Sequence, residues 1–257
     1  MVAFSWLIPV AVAHAAEDPL AKARLLYNQG QFEEAINAAE QARLTPARAD
    51  AADLVAARAY LERFRASAEP GDLVNARDRL RRIDPQRFAP RDRGEFVVGL
   101  GEALYFEGAF GASADVLDTI VRTHELLSGD ARERVLDWWA SALDRETRPR
   151  PEIDRLGVYQ RIRARMDDEL TAHPGSGTAA YWLAAAARSQ GDLQGAWDAA
   201  LAGWVRAPLT ADRGAKLRAD LDTLVLRAIV PDRARASAQT LESLRQQWEQ
   251  FKDRWKR

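Results

Sequence analysis

The residue types that most often carry chemistry are scarce in this chain and poorly spaced for it. There are no cysteines, which excludes a disulfide framework, thiolate metal sites, cysteine nucleophiles and a lipidated N-terminal cysteine. The histidines are His14, His124 and His173. His124-Glu125 begins like the two-histidine zinc-protease pattern, but Ser128 stands where the second imidazole is needed, so it reads as a helix end. His173-Pro174 reads the same way. Gly175-Ser176-Gly177-Thr178 is not followed by the Lys-Ser/Thr of a phosphate cradle. It reads as a turn in which Ser176 or Thr178 caps the next helix. No Gly-x-Ser-x-Gly nucleophile elbow occurs. Carboxylates run together at Glu33-Glu34 and Asp167-Asp168-Glu169, and on helices such runs read as solvated faces. A paired-carboxylate hydrolase would need acids from distant segments to converge within about 5 to 9.5 Å, a third and weaker reading. The expectation is a chain that is not an enzyme, with no metal and no cofactor.

Aromatic residues are the other candidates. Seven of the eight tryptophans lie after residue 15. Trp182, Trp197 and Trp204 fall close together, and Trp138 is adjacent to Trp139. Most read as helix–helix core, since Trp supplies a large buried area. Neighbours on a helix point about 100° apart, so Trp138 and Trp139 cannot both face one core. An exposed member would suit a partner.

The elements that must position these residues are helices. Ala, Leu, Arg and Glu dominate, apolar residues recur at helical spacing, and no stretch alternates like a strand. The 257 residues are 47% apolar and 29% charged with a net charge of −1, which excludes disorder and does not signal a nucleic-acid binder. One short pattern returns along the chain: a Gly, one residue, an apolar residue, and a small residue three further on. It appears at Gly30 with Phe32 and Ala35, at Gly71 with Leu73 and Ala76, at Gly108 with Phe110 and Ser113, and at Gly191 with Leu193 and Ala196. The interval from 108 to 191 is about two units long, and Arg148-Pro149-Arg150-Pro151 supplies a helix break in its middle. The glycine ends one helix in a left-handed conformation. The apolar residue anchors the next helix, the small one permits close approach, and a proline near the boundary stops the pair. Units of this kind must stack to bury their apolar faces.

This pattern resembles the tetratricopeptide repeat family, whose unit is a helix-turn-helix, over about residues 17 to 208. The whole chain also resembles repeat proteins of bacterial envelopes. The resemblance implies an all-α solenoid of about five units. It also implies a concave groove lined by the first helix of each pair, holding an extended peptide or a partner helix. Family positions carried over give Leu20, Arg24, Tyr27 and Asn28 in the first unit. They give Glu95, Val98, Glu102, Tyr105 and Phe106 in the third, and Thr178, Tyr181, Ala185, Arg188 and Ser189 in the fifth. Of these, Arg24, Tyr27, Asn28, Glu102, Tyr105, Phe106, Tyr181 and Arg188 are the implied partner contacts. The Lys and Asn pattern with which chaperone-binding members clamp a C-terminal carboxylate is missing, since Leu20, Val98 and Tyr181 occupy its place.

The ends differ in character. Residues 1 to 16 carry no charged side chain and finish in Ala13-His14-Ala15 before an acidic stretch. That fits an export signal over residues 1–15, cut after Ala15, although no basic residue precedes the apolar run and Pro9 interrupts it. The run is too short to span a bilayer. A periplasmic or secreted protein follows, with peripheral envelope association open. The repeats occupy residues 16–210, and C-terminal helices occupy 211–257. The spacing predicts an apolar helix over 212–230 stopped by Pro231. A last helix carries Leu241, Leu244, Trp248, Phe251 and Trp255 on one face, either capping the array or binding a partner. The function expected is a protein-interaction scaffold of the bacterial cell envelope. The alternative is a polysaccharide- or peptidoglycan-binding accessory that uses exposed Trp and Tyr.

Overall fold

A computed structural model describes residues 18–123, 127 and 129–256. The export-signal reading and the His124-Glu125 reading lie outside the described residues. Among the described residues the chain is all-helical, without a strand. It divides into two compact units, one ending at Phe88 and one beginning at Ala89. Within each, helices that follow one another pack together.

The first unit holds α1 (Pro19–Asn28), α2 (Phe32–Arg43), α3 (Ala49–Ser67) and α4 (Pro70–Leu80). Asp18 starts α1 by accepting the Leu20 amide at 3.0 Å. Its interior is built mainly of small side chains: Ala23, Ala39, Ala42, Ala52 and Ala56 form one cluster, and Ala35, Ile36 and Ala59 another. Ion pairs link the helices. Asp53, 3% exposed, takes Arg43 Nε at 3.3 Å and Arg79 Nη1 at 2.8 Å, and Arg63 Nε meets Asp72 at 3.2 Å.

The second unit runs through α5 (Pro90–Phe106), α6 (Phe110–Val121), α7 (Gly129–Thr147), α8 (Glu152–Ala172), α9 (Gly177–Ser189) and α10 (Leu193–Arg206). It continues with α11 (Ala215–Leu224), a π-helical turn over Val225–Ile229, α12 (Val230–Ala236) and α13 (Leu241–Arg254). One apolar core extends from Val98 to Trp248 and includes the large buried side chains Trp139, Leu136, Ile162 and Met166.

The recurring sequence pattern has one backbone form. Gly30, Gly108 and Gly191 have φ of 75°, 80° and 79°. In each case the glycine N–H donates to a carbonyl three residues back, and the next N–H donates five residues back. The pairs are Gly30 to Tyr27 with Gln31 to Leu26, Gly108 to Tyr105 with Ala109 to Leu104, and Gly191 to Arg188 with Asp192 to Ala187, all at 2.9–3.1 Å. This is the Schellman ending, which satisfies carbonyls that a helix terminus otherwise leaves open. The small residues Ala35, Ala76, Ser113 and Ala196 are all 0% exposed, where paired helices approach. The prolines after α2, α4 and α10 sit in single 3₁₀ turns, Pro46–Arg48, Pro85–Arg87 and Ala207–Leu209.

Two expectations are corrected. Gly71 is not the turn of its unit; it lies in the first turn of α4. The left-handed residue is Ala68, φ 55°. Pro70 is the reason: it occupies the first position of α4 and holds Glu69 extended, so the reversal falls before it. Nor does Pro231 stop a helix. The backbone passes through it to Ala236. Proline clashes with the carbonyl four residues back in an α-helix. The wider turn over Val225–Ile229, where Val230 N–H reaches the Val225 carbonyl, relieves that conflict.

Candidate functional site

The second unit contains a cleft of about 660 Å³, within the range that small ligands occupy. Three stretches far apart in sequence line it: the start of α7 from Gly129 to Asp137, the α8–α9 turn from His173 to Thr178, and the segment from Thr210 to Asp220. Each lies at or just before the N-terminal part of a helix, α7, α9 or α11. The α8–α9 turn is closely seated, because a Cβ on Gly175 would lie 2.6 Å from the Leu209 carbonyl oxygen. Ser176 caps α9 by accepting the Ala179 amide at 3.1 Å, as the turn reading expects. Thr178 is not the cap; its own N–H donates to Glu133 Oε2 at 2.9 Å, joining α9 to α7.

The acids of the cleft are held mostly by neutral donors. Glu133 takes the Thr178 amide, and Asp137 takes the indole N–H of Trp182 at 2.8 Å. Asp212 accepts from Thr210 Oγ1 at 2.6 Å, from Lys216 N at 2.7 Å and from Gly214 N at 3.0 Å. These bonds, the Thr210 hydroxyl first, lower the Asp212 pKa from the ordinary 3.8 to about 2. Asp220 has a cationic partner, Lys216, at 3.2 Å on an exposed turn. Tyr181 stands among these charges. Burial, then the negative charges of Asp220, Asp137 and Asp144, push its phenol above the usual value.

Behind the cleft, Arg132 and His173 turn toward Glu169. Glu169 Oε1 lies 3.1 Å from Arg132 Nε and 3.0 Å from His173 Nδ1, and Oε2 lies 3.8 Å from Arg165. Glu169 is 0% exposed. The run Asp167-Asp168-Glu169 is therefore a solvated face only in its first two members. The third points inward because a helix turns about 100° per residue.

The residues implied by family position are dispersed. In the first unit, Arg24 and Asn28 are exposed on α1, and Tyr27 is half-buried with its ring 5.7 Å from that of Phe32. In the second unit Glu102 is 1% exposed, inside the helix packing rather than on a surface. Tyr105 and Phe106 are half-buried. The Tyr105 hydroxyl is 2.8 Å from Ser141 Oγ, and Arg145 lies over its ring at 5.2 Å. Arg188 donates to Asp232 of α12 at 2.7 Å, ten residues and about 15 Å along α9 from the cleft. Of the positions carried over, Thr178 lines the cleft and bonds Glu133, and Tyr181 stands beside the cleft's acids; the other implied contacts lie away from it. Sequence reasoning missed Asp130, Glu133, Asp137, Asp212 and Asp220. The available signal was the placing of Asp130 in the first turn of α7, where an acid complements the dipole.

The tryptophans are largely covered. Trp139 and Trp248 are buried, Trp182 and Trp197 nearly so, and Trp138 is half-buried as its neighbour's burial requires. Arg233 lies 5.0 Å over Trp197, and Arg218 and Lys252 lie 5.3 and 5.5 Å over Trp204. Trp255 is 46% exposed.

No group of three or more His, Cys, Asp or Glu among the described residues is placed to hold a metal ion. No described helix is long and apolar enough to cross a membrane. No protein-family model matches the chain, and a search of curated proteins finds no match.

Proposed function

We propose that this chain is a protein-interaction module without catalytic activity, built of tetratricopeptide-like helix pairs. On the pattern at its N-terminus, it works in the bacterial cell envelope. The partner supplies a peptide segment, which binds across the starts of α7, α9 and α11. The observation that carries this reading is the cleft formed by the starts of α7, α9 and α11. It combines fixed carboxylates, hydroxyls and a small apolar patch on rigid elements. Such a surface binds by complementarity that exists before the ligand arrives, which limits the ordering entropy lost on association. The three Schellman endings and the buried small residues that follow them favour the repeat reading. The cations over Trp197 and Trp204 weigh against those two rings stacking on a polysaccharide, which needs open aromatic faces.

The test places a photo-cross-linking side chain at Thr178 of the full chain, expressed in the native host. One captured envelope protein is expected. Its purified form should bind the full chain saturably, and lose cross-linking when unlabelled chain is added in excess. Cross-links to no protein, or a captured protein that does not bind when purified, would overturn the reading.

A further inference from the structure

The lining of the cleft narrows the partner's chemistry. Five carboxylates face three permanent cations there, and one of those cations, Arg132, is engaged by Glu169 behind the wall. Glu133, Asp137 and Asp212 are fixed by amide, indole and hydroxyl donors. A neutral donor orients a carboxylate without cancelling its charge. The negative field therefore persists, although Asp130, Asp137 and Asp212 are exposed and salt screens it. Lys216 offsets Asp220 only weakly, since its side chain is 84% exposed. Leu217, buried, and Ala211 supply apolar contact for a methylene stem. The acids are spread along the first half of α7 and the stretch from Asp212 to Asp220 rather than gathered on one point. That distribution suits an extended cationic side chain better than a metal ion. Arg134 and Lys216 also line the cleft; their charges disfavour a ligand that is cationic throughout.

We infer that the cleft takes an extended, basic peptide segment, with an Arg or Lys side chain directed at Asp137 and Asp220 and its stem against Leu217. This rests on the protein-interaction reading above and specifies its partner.

The probe is the capped peptide acetyl-Gly-Ala-Arg-Ala-Gly-amide, titrated calorimetrically into the full chain at low salt. Its citrulline counterpart and spermidine are titrated in parallel. The Arg peptide should bind at least tenfold more tightly than the citrulline peptide, and salt should weaken it. The double variant D137N/D220N should lose at least tenfold in affinity with an unchanged helical spectrum, since the amide oxygen introduced by D137N can still accept the Trp182 indole. Asp168→Asn, an exposed change on α8, should leave binding unaltered. Equal binding of the Arg and citrulline peptides, no binding at millimolar concentration, or tighter binding of spermidine would each overturn the inference. If the inference alone fails, the partner captured at Thr178 still binds the D137N/D220N chain unchanged. If the underlying reading fails, no partner is captured at all.

Discussion

Trp248 of α13 donates its indole N–H to Asp222 of α11 at 2.8 Å, and Lys252, one turn on, reaches the same carboxylate oxygen at 2.7 Å. The ring is 0% exposed and lies edge-on to Trp197 at 5.9 Å and Trp204 at 5.4 Å. The last helix is thereby fixed to α10 and α11. Trp248→Ala would remove a large buried ring and leave Asp222 without its indole donor. We expect a loss of about 3–5 kcal/mol in urea unfolding, with new proteolytic cleavage near Ser237 to Thr240. A loss below about 1 kcal/mol, the size of an ordinary surface change, would show that α13 is only loosely attached.

Gly101 and Gly108 separate two uses of glycine within one helix pair. A Cβ on Gly101 would lie 2.4 Å from Leu117 Cδ2, and Ser113 Oγ donates to the Gly101 carbonyl at 2.7 Å across the same contact. Gly101→Ala forces α5 and α6 apart, at a cost of about 1–3 kcal/mol. Gly108 has open space around it but a φ of 80°, so Gly108→Ala costs about 1 kcal/mol of backbone strain. Shortening the facing side chain tells the two apart. In a Leu117→Ala background, Gly101→Ala should cost less than it does in the natural chain, while Gly108→Ala should cost the same. An equal reduction for both glycines would refute the distinction.

The Asp212 pKa of about 2 is depressed below the ordinary 3.8. A depressed acid contributes stability that is fully present above the unfolded value and is lost as pH falls through the folded one. The contribution of Asp212 should therefore fade between about pH 4 and pH 2. Carboxyl carbon NMR should show its midpoint well below the ordinary 3.8. Asp212→Ala should flatten the acid limb of the stability curve in that window. An ordinary midpoint would mean that the three donors do not hold the carboxylate in solution. Asp192 is shifted the same way, first by the Gly195 amide, and should titrate below its usual range too.

Much of this architecture was legible because its signals are local. Gly30, Gly108 and Gly191 mark left-handed turns since only glycine adopts them without penalty, and Pro149 and Pro151 separate α7 from α8. Where two local signals compete, the simpler reading failed. Pro70 dictates the start of α4, so Ala68 takes the turn that Gly71 suggested. Pro231 is accommodated by an extra residue in the preceding turn. The cleft was illegible for a different reason. Asp137, Ser176 and Asp212 converge from three separate stretches of the chain, and no short window of sequence contains two of them. Family position likewise misplaced Glu102, whose burial depends on how α5 is rotated in its packing.

Glu169 sets the strongest test of the second unit. Its carboxylate, wholly buried on α8, meets Arg132 of α7 and His173 at 3.0–3.1 Å, with Arg165 at 3.8 Å. Arg165 also donates to the Val121 carbonyl at the end of α6. One acid thus joins the ends of three helices and the turn that leads into the cleft. Removing one partner of a buried ion cluster leaves charge uncompensated, which costs about 3–5 kcal/mol. Glu169→Gln keeps the volume and removes the charge, so it should fall in that range by chemical denaturation. The further change Arg132→Met removes one of the stranded cations and should return part of the loss. A double-mutant cycle should then give a coupling of at least about 1 kcal/mol. Additive effects would mean that Arg132 and Glu169 are near neighbours without being energetic partners.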